Sequence, residues 1–331
     1  MSARNLWGKA AQLLYVLPIL ALFHWIDRRL VQGCGTKSET YFLNDQLHRA
    51  TGTPKAKVIV LGQSTMGQWL DPPYLSSALK LPENEVLDGH LGGCHQDCTW
   101  AEVQLLLHQK RHFEKAFFGL NLYEMCDSAT WKRSLQHATM TPLSAVPGLF
   151  LIYGRSDDAA KYVSRFVGAS LLSAYADPLS VQEHLRRTLL GKPADVSDWV
   201  ATPDPEGAAV DEKKKPKEIA SCSMAPAAIQ VKVSFTNSLL DGMEQLADHN
   251  YFLLLPDRTS RMSGVHVQRW RQFRAAIAGV LAAHPDVQLV DLVTGGALAS
   301  KYFRDSVHLN ASGTSIQRKL FEKRLKGLRA Q

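Results

Sequence analysis

Two short blocks at opposite ends of this chain carry residue types that could do nucleophilic chemistry together. The first is Gly62-Gln63-Ser64-Thr65, directly after the apolar run Lys57-Val58-Ile59-Val60-Leu61. A serine there would sit at the carboxyl end of a buried parallel strand, where α/β folds build their sites. It would also head the next helix, whose partial positive charge favours a developing anion. The second block is Asp305-Ser306-Val307-His308-Leu309-Asn310-Ala311-Ser312-Gly313, just before a terminal helix. An Asp and a His three residues apart on a loop can meet, the carboxylate accepting from one imidazole nitrogen. The other nitrogen is then left to take a proton from a serine hydroxyl.

A glycine-rich turn, Asp88-Gly89-His90-Leu91-Gly92-Gly93-Cys94, lies between these blocks after a second strand candidate. Glycines let a backbone N–H approach a ligand closely. The amides of Ser64 and Gly93 are therefore candidate oxyanion donors.

With these residues in place, the sequence resembles the SGNH, or GDSL-like, family of serine esterases and acyltransferases. The matching positions are Gly62-Gln63-Ser64, Gly92-Gly93 and Asp305-x-x-His308-Leu309-Asn310-x-x-Gly313. The resemblance runs from Lys57 to the C-terminus, apart from an insertion. It implies a flavodoxin-like α/β/α sandwich with a central parallel sheet. Ser64 would be the nucleophile, His308 the base and Asp305 its orienting carboxylate, with no metal or organic cofactor. The family also takes an oxyanion donor from an Asn in a Gly-x-Asn-Asp turn. Here the corresponding stretch is Gly119-Leu120-Asn121-Leu122-Tyr123-Glu124, so Asn121 or Tyr123 takes that place. A second departure, Gln63 where Asp or Ser is usual, leaves the reacting group unchanged. The spacing from Ser64 to Gly67 also differs from the elbow of α/β-hydrolases.

The elements that must position these groups follow from hydrophobic patterning. Strands are expected at Lys57–Gly62, Glu85–Asp88, Lys115–Leu120, Tyr251–Leu255 and Val287–Leu292. Helices are expected after an Asp71 N-cap with prolines in the first turn, from Thr99 to His112, and from His266 to His284. Alternating strands and helices imply a parallel sheet covered on both faces. Trp270, Phe273 and Ile277 recur at helical spacing and read as core. Residues 127–228 break the rhythm and read as a mostly helical and disordered insertion. Within it, 201–228 is Pro/Ala-rich and carries Asp211-Glu212-Lys213-Lys214-Lys215, a solvated loop.

Residues 1–35 read as a separate segment before a domain spanning 36–331. Ala10 to Ile26 is a 17-residue stretch without a formally charged side chain, preceded by Arg4 and Lys9. As a helix it reaches about 25 Å, near the lower limit for a bilayer. Three readings compete: an uncleaved signal anchor, a lipoprotein signal ending at Cys34, and a buried helix of the domain. The anchor fits best, because no small-residue cleavage site follows and Asp27-Arg28-Arg29 interrupts the approach to Cys34. It makes the chain a single-pass protein of the cytoplasmic membrane with its domain outside. The layout is similar to membrane-tethered members of the family that act on cell-envelope polymers. Among these are the D-alanine-transfer protein of teichoic acids and the O-acetyltransferases of alginate and peptidoglycan.

The resemblance thus implies a serine acyl hydrolase or O-acyltransferase working on an O-acylated carbohydrate, with a membrane-bound acyl-donor protein as a possible partner. Hydrolysis and transfer stay open, because one triad serves both. The alternative is an inactive module of the same fold that binds an envelope polymer or a membrane acyltransferase.

Composition excludes other classes. The 331 residues carry 21% charged and 45% hydrophobic side chains, which fits neither a disordered chain nor a polytopic membrane protein. A net charge of +7 comes without a basic stripe interleaved with aromatics, so nucleic acid is not an expected partner. Five cysteines do not make a disulfide scaffold. His90, Cys94, His95 and Cys98 invite a zinc reading, but the glycine turn already accounts for the segment and a fourth ligand is lacking. A Cys94–Cys98 or other disulfide is the better expectation for an exported domain.

Overall fold

The computed structural model describes Leu22 and residues 55–90, 96–122, 124, 143–153, 226–258, 265–293, 298–305 and 307–329. The Ala10–Ile26 segment apart from Leu22, Gly93, Tyr123 and most of the 127–228 insertion lie outside them. Among the described residues no helix is long and apolar enough to cross a membrane.

The α/β expectation holds. Among the described residues five strands form one sheet: β1 (Val58–Gly62), β2 (Val86–His90), β3 (Phe113–Leu120), β4 (Ala247–Leu254) and β5 (Val287–Asp291). Every neighbouring pair is parallel, in the order β2-β1-β3-β4-β5. All five expected strands are present, and β2 runs two residues further than expected, through Gly89 to His90. Parallel neighbours need a crossover, and the helices supply it. They are α1 (Ser64–Gly67), α2 (Pro72–Leu79), α3 (Gln96–His108), α4 (Val146–Tyr153), α5 (Pro226–Leu246), α6 (Val265–Ala283) and α7 (Ala311–Arg329).

Strand side chains alternate between two apolar layers, as period-two geometry requires. Ile59, Leu61, Phe118 and Phe252 join Trp100, Val103, Phe235, Leu239, Phe273 and Ile277 in one cluster. Val58, Val60, Phe117, Tyr251 and Val290 face the other way, into Met66, Trp69, Leu75 and Phe321. The Trp270, Phe273 and Ile277 stripe is buried as expected. Helix α5 was not anticipated; it begins inside the stretch read as the end of the insertion loop. Its polar Thr236, Asn237 and Ser238 obscure the periodicity of Phe235, Leu239, Leu240 and Met243.

Asp71 caps α2 as expected: its Oδ1 accepts from the Tyr74 N–H at 2.9 Å, with prolines opening the helix. Its Oδ2 accepts from Arg318 Nη2 at 2.5 Å, and the Arg318 guanidinium lies 4.3 Å over the Tyr74 ring. Helix α7 is thereby tied to the start of α2. Phe321 adds an apolar tie, edge-on to Trp69 at 5.5 Å and to Phe117 at 5.8 Å.

Strand β1 has β2 on one side and β3 on the other, so the winding direction reverses at β1. The crevice outside the carboxyl ends of such strands is where open α/β sheets bind ligands. The segments that follow β1 and β3 there begin at Gln63 and Asn121.

Candidate active site

Strand β1 ends on Gly62 at φ +126°, a conformation that side chains rarely adopt, and a Cβ there would meet Met66 Cγ at 2.9 Å. The chain then turns at once into α1, with Ser64 as its first residue. The Gln63 carbonyl accepts from the Met66 and Gly67 N–H groups at 2.8 and 3.4 Å. The N–H groups of Ser64 and Thr65 head the turn, where a helix has no internal partner for them.

Ser64 and His308 are 244 positions apart in sequence, yet Ser64 Oγ lies 2.7 Å from His308 Nε2. His308 Nδ1 lies 2.7 Å from Asp305 Oδ2. The three expected residues therefore form one hydrogen-bonded chain. Asp305 Oδ1 accepts from the backbone N–H groups of Val307 and His308 at 2.8 and 2.7 Å, so the same carboxylate shapes the loop that carries the imidazole. Partial burial alone would push the Asp305 carboxyl up. The bonds from the His308 side chain and backbone and from the Val307 backbone outweigh it and hold the group at about 2. It is thus an anion throughout the neutral range.

The rest of the Asp305–Gly313 block has a structural account. Phe303 and Leu309 bridge in antiparallel fashion, and Arg304 N–H donates to the His308 carbonyl at 2.9 Å. Asn310 Oδ1 accepts from Gly313 N–H at 2.9 Å and caps α7, while its Nδ2 donates to the Lys301 carbonyl at 2.7 Å. Gly313 has to be glycine, because a Cβ would fall 2.2 Å from the Tyr302 carbonyl oxygen.

Gln68 was not anticipated. Its Nε2 donates to the Leu309 carbonyl, and its Oε1 accepts from the Leu309 N–H at 3.0 Å. One turn after Ser64, this side chain fastens the serine helix to the residue next to His308. The only signal in the sequence is the four-residue spacing, which many surface glutamines share.

Asn121 follows β3 directly and is fully buried. Its Oδ1 accepts from the Glu124 N–H at 2.9 Å, and its Nδ2 has no partner among the described residues. A buried, unpaired amide donor beside the β1–β3 crevice is suited to meet an oxyanion. Gly93, the other expected donor, lies outside the described residues, as does Tyr123.

Glu124 is the second residue that sequence reasoning passed over. It is fully buried, and its Oε1 accepts from Thr65 Oγ1 at 3.0 Å. Burial dominates its titration and pushes the carboxyl up to about 8.

His90 ends β2 opposite Gly62, with Nδ1 2.5 Å from Asp88 Oδ1. Its ring occupies the place a Cβ would take at Gly67, 2.1 to 2.3 Å from three ring atoms. A second carboxylate–imidazole pair therefore packs against the helix that bears Ser64. Behind it, Glu102 is buried with its carboxyl raised well above the ordinary range, by burial first and by Asp88 second.

Of the residues considered for zinc, His90 engages Asp88 and Cys98 is disulfide-bonded, while Cys94 and His95 lie outside the described residues. Another cluster, Asp241, Glu244 and His284, brings ligand-type atoms within 4.8 Å of one another. It belongs to the amino end of the sheet, away from Ser64. Both His284 ring nitrogens are already engaged there, by Glu244 Oε2 and Asn237 Oδ1 at 3.1 Å each.

No family model matches the chain, and no curated protein matches it.

Proposed function

We propose that this protein is a serine acyl hydrolase or O-acyltransferase acting through an acyl-Ser64 intermediate. The observation that carries the reading is the continuous chain from Ser64 Oγ through His308 to Asp305, with both links at 2.7 Å. Ser64 Oγ attacks the ester carbonyl carbon as His308 Nε2 takes the hydroxyl proton. The negative charge that develops on the carbonyl oxygen is met by the Ser64 amide and Asn121 Nδ2, with Gly93 as a further donor. Collapse breaks the bond to the leaving alcohol, which receives the proton from His308. A water or a sugar hydroxyl then attacks the acyl carbon and gives its proton to His308; the bond from that carbon to Ser64 Oγ breaks, and His308 returns the proton to Oγ.

The strand order 2-1-3-4-5 supports a flavodoxin-like α/β/α sandwich of the kind the SGNH resemblance implies. The disulfide at Cys98 supports an oxidising compartment, and with the apolar 10–26 segment it favours a domain anchored outside the cytoplasmic membrane. An O-acylated envelope carbohydrate is the substrate class that such a location offers.

The test is a fluorophosphonate probe on the full chain, with the adduct mapped by peptide mass spectrometry. Labelling of Ser64 that is lost in His308→Ala supports an activated serine. A folded chain that stays unlabelled at Ser64 rejects the enzymatic reading and leaves a binding module. A reporter fused after Gln331 tests the topology, which a cytoplasmic reporter would overturn.

A further inference from the structure

Thr65 and Asn121 sit on separate segments, one after β1 and one after β3, and a single buried residue joins them, through its side chain to Thr65 and its backbone N–H to Asn121. Thr65 Oγ1 donates to Glu124 Oε1 at 3.0 Å, and the Glu124 N–H donates to Asn121 Oδ1 at 2.9 Å. The neighbour of the serine and the amide side chain with the unpaired Nδ2 thus share one anchor. All three are enclosed: Asn121 and Glu124 are fully buried and Thr65 is 6% exposed. Glu124 Oε2 has no partner among the described residues, so a charge on that oxygen would be left without a hydrogen bond.

We propose that Glu124, in its neutral form, is a positioning residue that holds the two oxyanion donors, the Ser64 amide and Asn121 Nδ2, in register. The inference rests on the acyl-transfer reading of Ser64 and assigns that site a regulatory proton. Neutral Glu124 accepts from Thr65 and fixes the turn after β1. Ionised Glu124 would put a buried negative charge beside the place where the oxyanion forms, and like charge there opposes the transition state.

The charged and titratable surroundings fit this assignment. Lys232 of α5 donates from Nζ to the Glu124 carbonyl at 3.3 Å, and Asp257, after β4, faces the same acid. Burial raises the Glu124 carboxyl most. The Thr65 bond, the Asn121 backbone and Lys232 pull it down, Asp257 pushes it up, and it comes to rest at about 8. The proton is therefore lost within reach of mildly alkaline conditions.

The experiment is the rate of fluorophosphonate labelling of Ser64 in the full chain, from about pH 6 to 10. Wild type, Glu124→Gln, Glu124→Ala and Thr65→Val would be compared, with melting temperatures measured alongside. The expected wild-type rate falls as pH rises through the Glu124 transition. Glu124→Gln keeps an uncharged acceptor for Thr65, so it should retain the neutral-pH rate and lose the alkaline fall. Glu124→Ala and Thr65→Val should slow labelling by about 10- to 100-fold, as misplaced oxyanion donors do. A Glu124→Gln variant that folds but keeps the alkaline fall, or is as slow as Glu124→Ala, overturns the proposal. In that case labelled wild-type Ser64 leaves the acyl-transfer reading standing. Absence of wild-type labelling near neutrality sinks both.

Discussion

The side-chain amide of Gln68 pairs with both backbone polar groups of Leu309, donating to its carbonyl and accepting from its N–H at 3.0 Å. Leu309 is buried, so water does not readily replace either bond. This contact joins the serine helix to the histidine loop across 241 positions of sequence.

Gln68→Leu should therefore cost about 2 kcal/mol of stability, the usual consequence of leaving buried backbone groups unpaired. It should also slow Ser64 labelling about 10- to 100-fold, because a small displacement of the base misaligns the proton transfer. Gln68→Glu can still accept from the Leu309 N–H but cannot donate to its carbonyl, so it should fall between. Denaturant titration and labelling kinetics measure the two effects. Wild-type behaviour of Gln68→Leu in both would refute the clamp.

Asp305→Asn separates the charge of Asp305 from its structural task. An asparagine oxygen can still accept from the Val307 and His308 amides, so the loop should keep its shape. The imidazole loses the anion that fixes its tautomer, and on the acyl-transfer reading labelling of Ser64 should drop by about 10⁴-fold, the loss such a change causes in a Ser-His-Asp triad. Asp305→Ala should in addition lower the melting temperature. Equal rates for wild type and Asp305→Asn would show that this carboxylate plays no electrostatic part.

The sequence made the triad visible because its members recur as contiguous blocks whose glycines and caps obey local rules. Gly62 is required by its positive φ, Gly313 by the Tyr302 carbonyl, and Asn310 by the cap of α7. The five strands were legible from short apolar runs, because a sheet buried on both faces leaves little room for polar residues. Gln68, Glu124 and the His90–Asp88 pair were not legible. Their partners come from tertiary crossings, and a single Gln or Glu has no distinguishing pattern. Helix α5 escaped for another reason: its polar Thr236, Asn237 and Ser238 blur the apolar stripe, Thr236 by bonding back to the Lys232 carbonyl and the other two by turning toward other elements. Trp100 Nε1 donates to Ser238 Oγ at 3.0 Å, and Asn237 Oδ1 meets His284.

Gly67→Ala tests the packing of the second carboxylate–imidazole pair on the serine helix. The new Cβ would fall 2.1 to 2.3 Å from three atoms of the His90 ring, among them Cγ, which cannot swing aside without the whole side chain. The ring must leave and its 2.5 Å contact with Asp88 must break, at a cost of about 1 to 3 kcal/mol typical of overpacking. His90→Ala vacates that space, so the double variant should be more stable than additivity predicts. Chemical denaturation of the four proteins gives the coupling directly. Strict additivity would mean that the ring does not occupy the Gly67 surface.

Asp305 and Glu124 impose pH dependences of opposite sign on stability. Asp305 is held down at about 2 in the folded chain, below an ordinary unfolded carboxyl near 4. Its stabilising contribution is present above the unfolded value and is lost as pH falls through the folded one. Its side chain is 49% exposed, so solvent screening keeps that contribution small. Glu124 runs the other way. Its folded value of about 8 lies above the unfolded value, so between about pH 4.5 and 8 the folded chain keeps a proton that the unfolded chain has lost. Stability from this group is greatest below that window and declines as pH rises across it, by up to about 1.4 kcal/mol per pH unit, before levelling above about 8. Glu124→Gln carries no such proton, so its stability should decline less steeply than wild type over the same window. The two curves should diverge in favour of the variant as pH rises from 5 to 8. Parallel curves from denaturant titrations at each pH would mean that Glu124 ionises at an ordinary carboxyl value in the folded protein.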